Sequence, residues 1–167
     1  MEKQFVYAAI AVMVAASCFA SGYYIGAMVN VEDTDPQGPM IPLVEESWSA
    51  DSFFPPDTYS MTHSLKVDAD ASGLVVLYNV ELPSALIEEV PLPGTEIVFE
   101  PTITFRLRDP TNKIIFNITL NETDDGFQII TDPSPGLWTL RVEAKGYGAD
   151  EFGVDFRDGY SLTVVEL

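Results

Sequence analysis

The residues after Tyr59 alternate between apolar and polar side chains, and short turn sequences interrupt the alternation. In Tyr59–Val67 the odd-numbered positions are Tyr, Met, His, Leu and Val, whereas the even-numbered positions between them are Ser, Thr or Lys. A period of two places successive side chains on opposite faces of a strand, so that one face is buried and the other meets water. The pattern therefore predicts β-structure.

Eight further segments are predicted to be strands on the same grounds. They are Leu74–Leu82, Glu96–Phe99, Thr102–Arg108, Lys113–Leu120, Phe127–Thr131, Leu137–Ala144, Phe152–Phe156 and Tyr160–Val165. Turn chemistry separates them at Asp109–Asn112 and Asp132–Gly136, and one helical turn is predicted within Ser84–Glu89. We expect Asp124, Asp125 and Gly126 to close a hairpin between Lys113–Leu120 and Phe127–Thr131.

Short strands separated by Gly, Pro and Asp turns are typical of an antiparallel sandwich or barrel. The predicted fold class is mainly β. It consists of one amino-terminal transmembrane helix followed by an antiparallel β-sandwich of seven to nine strands, with immunoglobulin-like and jelly-roll topologies both open.

The transmembrane prediction rests on Phe5–Val29, which contains no charged side chain. About 20 apolar residues cross the hydrocarbon core of a bilayer as a helix. A cleaved signal peptide is the alternative, with Ala20, Ser21 and Gly22 as the cleavage site. Cys18 follows a weak lipoprotein-like sequence. Because apolar residues resume at Tyr23, we favour a retained anchor.

Basic residues near a span stay in the cytoplasm. Lys3 precedes the span and the next basic residue is Lys66, so the chain is predicted to cross the cell membrane once, with its amino terminus in the cytoplasm and its carboxyl-terminal domain outside. Gly22 and Gly26 lie four residues apart, a spacing at which small residues let helices pack closely in lipid. A second transmembrane subunit is therefore an expected partner.

Composition limits the partners and the domain count. The 26 acidic and 8 basic residues give a net charge of -18, which disfavours nucleic acid and favours cations, basic partners or a high-salt environment. Cys18 is the single cysteine, so an intrachain disulfide is impossible. The predicted domains are an anchor at 1–29, an acidic, proline-rich stalk at 30–58 and a β-sandwich at 59–167.

No pattern of residues indicates a catalytic or cofactor site, so we expect a non-enzymatic protein without a small-molecule substrate. His63 is the single histidine and lies on an apolar strand face, which predicts a hydrogen-bonded structural role. Calcium is the one ion considered, because it takes oxygen ligands from acidic turns. The calcium candidates are Asn121, Asp124, Asp125, Asp150, Glu151 and Asp155.

Two Asn-x-Thr triplets make Asn117 and Asn121 candidates for N-glycosylation outside the cytoplasm. Together with the acidic composition and the lack of cysteine pairs, they favour an archaeal envelope protein, with a bacterial membrane as the alternative.

The run Asp132–Val142 resembles the PxGxWTLxV hairpin strand of secreted β-sandwich modules, including P-domain-like and macroglobulin-like ones. This resemblance implies an immunoglobulin-like or jelly-roll sandwich and no particular function. The layout of one helix followed by a sandwich resembles type IV pilin-like proteins and the monotopic stator subunits of the archaeal flagellum. Pilin processing would require a basic residue and Gly before the apolar run, but Lys3, Gln4 and Phe5 stand there.

Three functions follow as hypotheses. The first is an anchored structural or accessory protein whose sandwich contacts a larger membrane complex or a surface layer. The second is a filament-related role, pilin-like or stator-like. The third is a calcium- or sugar-binding module.

Overall fold

The computed structural model describes residues 42–87, 90–92, 95–149 and 156–167. Strands dominate these residues. They are β1 (Pro42–Ser49), β2 (Asp57–Val67), β3 (Gly73–Glu81), β4 (Val90–Leu92), β5 (Thr95–Ile97), β6 (Thr102–Arg108), β7 (Ile114–Leu120), β8 (Asp124–Thr131), β9 (Gly136–Gly146), β10 (Gly148–Ala149), β11 (Phe156–Arg157) and β12 (Gly159–Glu166). A single 3-10 turn spans Pro83–Leu86 in this part of the chain, as the sequence predicts.

Eight of the described strands form two four-stranded antiparallel sheets. The first sheet has the order β1-β12-β3-β8 and the second sheet has the order β2-β9-β6-β7. Strands β4 with β5, and β10 with β11, form two small ribbons within the connections. The predicted antiparallel sandwich is confirmed.

The order of the strands selects the jelly roll over the immunoglobulin-like alternative. Among the eight long strands, successive strands alternate between the two sheets, except that β6 and β7 are neighbours in the second sheet. Such repeated crossing between sheets is the arrangement of a jelly roll, which combines two Greek keys. An immunoglobulin sandwich instead keeps several hairpins within one sheet.

The predicted hairpin between Lys113–Leu120 and Phe127–Thr131 is wrong. Strand β7 pairs with β6 in the second sheet, whereas β8 crosses to the first sheet and pairs with β3. Gly126 lies opposite Tyr78, and a Cβ atom there would approach the Tyr78 hydroxyl oxygen to 2.5 Å. The ring of Tyr78 therefore occupies the space that a side chain at Gly126 would need.

The predicted stalk at 30–58 extends too far into the domain. Pro42–Ser49 forms β1, an edge strand that pairs with β12 along its whole length. Proline is tolerated at the first position of an edge strand, where its missing N–H breaks no ladder. Acidic and proline-rich composition concealed a strand in which Val44 and Trp48 pack against the core.

The core lies between the two sheets, and the alternation in the sequence identified most of it. Trp138, Phe105, Leu140 and Ile103 are among its fully buried side chains. The inward positions of β2 follow the prediction only at one end of the strand, since Leu65 and Val67 are buried but Met61 is 42% exposed. A second apolar cluster, formed by Phe99 and Tyr147 with Phe53, Ile87 and Phe156, closes one end of the sandwich.

The predicted membrane helix and residues 150–155 lie outside the described residues. In residues 42–87, 90–92, 95–149 and 156–167, no helix has the length and apolar character needed to cross a bilayer.

Candidate functional site

A groove of about 400 Å³ with a mixed polar and apolar lining lies on the outer side of the first sheet. Its polar lining comes from β1, β3 and β12 and from β11, which ends at Arg157. The side chains are Ser47, Ser49, Asn79, Glu81, Arg157 and Ser161. The alternate residues Val80 and Leu162 are buried in the core, so Asn79, Glu81 and Ser161 face outward. Trp48, Gly159 and Tyr160 complete the lining.

The register of the sheet explains the shape of this groove. Gly159 in β12 lies between Ser49 in β1 and Glu81 in β3. Strands are spaced about 4.8 Å apart, so the walls on β1 and β3 stand roughly 10 Å from each other. A Cβ atom at Gly159 would approach the Trp48 carbonyl oxygen to 2.6 Å, so glycine at this position allows β1 to lie close to β12 at the floor of the groove.

One end of the groove is formed by Arg157 and the connection between β1 and β2. An ion pair joins Arg157 to Asp51, which belongs to the β1–β2 connection. Asp57 holds that connection in place, because its Oδ2 accepts hydrogen bonds from the backbone N–H groups of Asp51 at 2.7 Å and Ser52 at 2.9 Å. The guanidinium is thereby positioned at the end of the groove.

Asp158 is the buried support beneath this end of the groove, and its side chain is 0% exposed. Its Oδ1 accepts a hydrogen bond from the Ser84 N–H at 3.0 Å, and its Oδ2 accepts from the Ser84 hydroxyl at 2.5 Å. The same Oδ2 accepts from the Tyr147 N–H at 2.8 Å. One carboxylate therefore ties together the 3-10 turn, the end of β9 and the start of β12.

A polar cluster behind the groove joins the two sheets at their β1 and β2 edges. Glu46, whose side chain is 8% exposed, forms hydrogen bonds with His63 Nε2 and with the Tyr160 hydroxyl. The rings of Trp48, Tyr59 and Tyr160 surround this carboxylate, with Trp48 and Tyr59 stacked at 6.0 Å between centroids. The expected hydrogen-bonded, structural placement of His63 agrees with this geometry.

Because two tyrosines of this cluster are at least partly buried, we expect the folded protein to lose stability at alkaline pH. Burial, followed by the hydrogen bond to the Glu46 carboxylate, raises the pKa of Tyr160 well above its usual range, and burial raises the pKa of Tyr59 in the same direction. The folded protein thus keeps these phenols neutral at a pH where the unfolded chain ionises them. Their stabilising contribution is complete below about pH 10 and falls as the pH rises further.

We therefore expect the urea midpoint to fall between about pH 9 and about pH 11, and to fall less steeply in Tyr160→Phe than in the native protein. If the urea midpoint fell equally steeply with pH in both proteins, Tyr160 would not contribute to the loss of stability in alkali.

An exposed aromatic ring lies beside the groove on the same outer surface. Phe127 in β8 is 46% exposed and is paired in register with Leu77, while the next outward pair is Asn79 with Asp125. Diagonal neighbours on a sheet are about 7–8 Å apart, so Phe127 is within reach of a ligand that contacts Asn79. The surface thus combines hydrogen-bonding groups with one apolar platform.

The candidate calcium ligands divide into two sets. Asn121 lies in the β7–β8 connection, and Asp124 and Asp125 begin β8, where all three are exposed. Asp150, Glu151 and Asp155 lie outside the described residues. Among the residues that the structure does describe, no group of three or more His, Cys, Asp or Glu side chains is arranged to hold a metal ion. Calcium binding stays a prediction.

The glycosylation candidates are both exposed. Asn117 points outward from β7, where its Oδ1 accepts a hydrogen bond from Arg106 Nε at 2.9 Å, and Asn121 follows the end of that strand. Gly22 and Gly26, the candidates for helix packing, lie outside the described residues. Modification and helix packing therefore stay predictions.

The groove was missed by reasoning from the sequence. Its side chains come from β1, from β3 and from the consecutive strands β11 and β12, three regions that are far apart along the chain. Strand β1 lies in the segment predicted to be a stalk. The only local signal was that the outward positions of these strands carry Ser and Asn. That signal is also typical of an ordinary solvated strand face.

Comparisons with known proteins leave the family open. No protein-family model matches the chain, and no curated protein is similar to it in sequence. Among solved structures, it is similar to TmCBM61 in complex with β-1,4-galactotriose, with 9% identity, a TM-score of 0.41 and coverage of 72% of this chain and 69% of that one.

A second similar structure is the glycosylation associate protein (Gap123) complex from Streptococcus agalactiae. The identity is 12%, the TM-score is 0.34, and the match covers 81% of this chain and 43% of that one. A third is PirA, with 12% identity, a TM-score of 0.27 and coverage of 83% of this chain and 100% of that one. These values are too low to transfer a ligand or an activity.

Proposed function

We propose that this protein is a non-enzymatic binding module that holds a neutral glycan in the groove on the outer side of the first sheet. The observation that carries the proposal is the lining of that groove, where serine hydroxyls, an amide, a carboxylate and a guanidinium converge around Gly159. These groups offer both donors and acceptors. A ligand rich in hydroxyl groups can satisfy them together.

Charge favours a neutral ligand in this groove. Arg157 stands at its end with Asp51, and Glu81 adds a further carboxylate. An anionic ligand would meet two carboxylates, and an apolar ligand would displace water from the serine hydroxyls and the Asn79 amide without replacing its hydrogen bonds. The exposed ring of Phe127 supports the same conclusion, because the apolar face of a sugar ring can pack on an aromatic side chain.

The non-enzymatic part of the proposal is supported by the placement of the polar residues. His63, the single histidine, is bonded to Glu46 between the sheets and lies behind the groove rather than in it. Nucleophilic catalysis by Ser needs a base within hydrogen-bond reach of its hydroxyl. The hydroxyl of Ser84 bonds to Asp158 and both side chains are fully buried.

We propose that the module works outside the cytoplasm, anchored by Phe5–Val29, as an accessory component beside a larger membrane complex or a surface layer. The support is the uncharged length of this segment and the position of Lys3 before it. The full chain is expected to partition into the detergent phase of a membrane extract. Recovery in the soluble fraction without detergent would contradict the anchor.

Substitution of Asn79 tests the groove. Calorimetric titration of the full chain with a panel of neutral oligosaccharides is expected to find one that binds, and Asn79→Ala should weaken it about tenfold by removing an amide donor and acceptor. Thr163→Ala is the matched control, since Thr163 also faces outward on β12 but lies beside Glu45 and Leu77 rather than in the groove. Equal losses in both variants would contradict the assignment.

A further inference from the structure

The outer side of the second sheet is cationic, although the chain as a whole is strongly acidic. Of the seven Lys and Arg residues in the described part of the chain, five point outward from this sheet. They are Lys66, Arg106, Arg108, Arg141 and Lys145. Within the described strands of this sheet, Glu143 is the one carboxylate on the same side, while Asp68 and Glu100, just beyond the strands, form ion pairs with Lys66 and Lys145. The excess positive charge therefore lies at the three arginines. We call this surface the cationic face.

Two of these arginines are direct neighbours across the sheet. Arg106 in β6 is paired in register with Arg141 in β9, and Arg108 lies two residues further along β6. Like charges placed directly opposite each other on a sheet are destabilising. In a protein with a net charge of -18, acidic side chains to separate them are abundant, yet the one carboxylate on the strands beside this pair is Glu143, which binds Arg141. An anion bound between the guanidinium groups would remove this repulsion.

The arginines are held in place by neighbours on the same face. Arg106 Nε donates to Asn117 Oδ1 at 2.9 Å, and Arg108 donates to the Asn112 carbonyl oxygen at 2.9 Å. Arg141 donates to Glu143 Oε1 at 2.7 Å. A guanidinium has five N–H donors, so each of these single bonds orients the group and leaves donors that a ligand can use. Such ordering before binding lowers the entropy lost on association.

Hydroxyl groups make up most of the neutral side chains on this face. They are Thr58, Ser60, Thr62, Ser64, Thr102, Thr104, Thr119 and Thr139. The described strands carry no aromatic side chain at an outward position of this sheet, and its exposed aliphatic side chains are Leu137 at one end and Ile114 opposite Arg108. Protein interfaces are enriched at their centres in aromatic anchors and depleted in charge, so the cationic face does not have the composition of such an interface.

We propose that the cationic face binds an acidic polysaccharide, with the Arg106, Arg108 and Arg141 guanidinium groups pairing with its carboxylates. The planar guanidinium fork matches a carboxylate with two parallel hydrogen bonds. The surrounding serine and threonine hydroxyls can bond to the sugar hydroxyls. The net negative charge elsewhere is screened over about 8–10 Å at physiological salt, so the local positive charge governs contact at short range.

This inference goes beyond the proposed function, because it assigns a second ligand to the opposite side of the molecule. Packed sheets lie about 10 Å apart, and the groove and the cationic face are on their two outer surfaces. Substitutions in one site therefore leave the side chains of the other untouched. A protein with both sites could join a neutral and an acidic glycan of the cell envelope.

The test is calorimetric titration of the full chain with an alginate oligosaccharide, a dextran oligosaccharide of equal length and poly-L-glutamate. We expect the alginate probe to bind and R106Q/R141Q to weaken it about tenfold or more, because bonds between charged groups contribute most. Glu143→Gln should strengthen it, since it removes the competing carboxylate. The melting temperature of R106Q/R141Q should match or exceed that of the native protein, because a like-charge pair is removed.

Weaker alginate binding by R106Q/R141Q together with stronger binding by Glu143→Gln would indicate direct contacts, because a loss of structure would weaken binding in both variants. The proposal is overturned if alginate does not bind, if R106Q/R141Q binds it as well as the native protein does, or if dextran binds equally well to this face. Tighter binding of poly-L-glutamate would assign the face to an acidic protein instead. Asn79→Ala should leave alginate binding unchanged, so failure of the groove and failure of the cationic face can be told apart.

Discussion

Replacing Asp158 by alanine is expected to lower the free energy of unfolding by about 3–5 kcal/mol. The substitution leaves the Ser84 N–H, the Ser84 hydroxyl and the Tyr147 N–H without their acceptor in a fully buried site. Each buried donor left without a partner costs about 1–3 kcal/mol. Urea unfolding followed by circular dichroism measures the loss.

Two further variants serve as comparisons for Asp158→Ala. Ser84→Ala removes one hydroxyl bond and keeps both backbone bonds, so its loss should be smaller, about 1 kcal/mol. Asp125→Ala is the matched surface control, since Asp125 is exposed on β8, and its midpoint should change little. A loss for Asp158→Ala no greater than that of Asp125→Ala would show that the carboxylate does not organise this end of the sandwich.

Trp138→Ala is expected to have an effect of similar size, about 3–5 kcal/mol, for a different reason. Trp138 is 2% exposed and is the largest of the fully buried side chains in the described residues. Truncation would leave a cavity between the sheets, and the close-packed neighbours can fill it only in part. The indole also donates a hydrogen bond from Nε1 to the Ser134 carbonyl oxygen at 2.7 Å, which orders the turn before β9.

Trp138→Phe separates the two contributions of this side chain. Phenylalanine keeps most of the apolar volume but cannot donate to Ser134, so a loss of about 1–2 kcal/mol is expected. Leu137→Ala provides the comparison on the opposite face of β9, where the side chain is 60% exposed and a change within about 0.5 kcal/mol is expected. Equal losses for Trp138→Ala and Trp138→Phe would mean that the hydrogen bond, rather than packing, dominates.

The sequence could identify strands because the rule of alternation is local. Ile103, Phe105 and Leu107 are buried as predicted, and so are Leu140 and Val142. The pairing of strands is not local. Nothing in the residues around Gly126 distinguishes a return beside β7 from a crossing to β3, since a turn sequence specifies a reversal and leaves the partner strand open. Strand β1 was missed because composition dominated a pattern that included Glu46, a buried carboxylate at a position where an apolar residue would be expected.

To predict the groove and the cationic face from the sequence, the pairing register of the strands would have to be known as well as their positions. Ser47, Asn79 and Ser161 become neighbours only because β12 lies between β1 and β3. The same is true of Arg106 and Arg141, which come together through the pairing of β6 with β9. Net charge alone favoured basic partners for this protein. The placement of the basic residues reverses that expectation for one face, because total charge carries no information about where charges lie.

The groove is tested most directly by backbone-amide NMR of the full chain in detergent during titration with the neutral oligosaccharide panel. The account predicts that a saccharide which binds produces its largest amide shifts at Ser47, Asn79 and Ser161, with small shifts at Arg106 and Arg141 on the opposite sheet. Binding that shifts only the second sheet, or a panel in which no neutral saccharide shifts the groove amides, would contradict it.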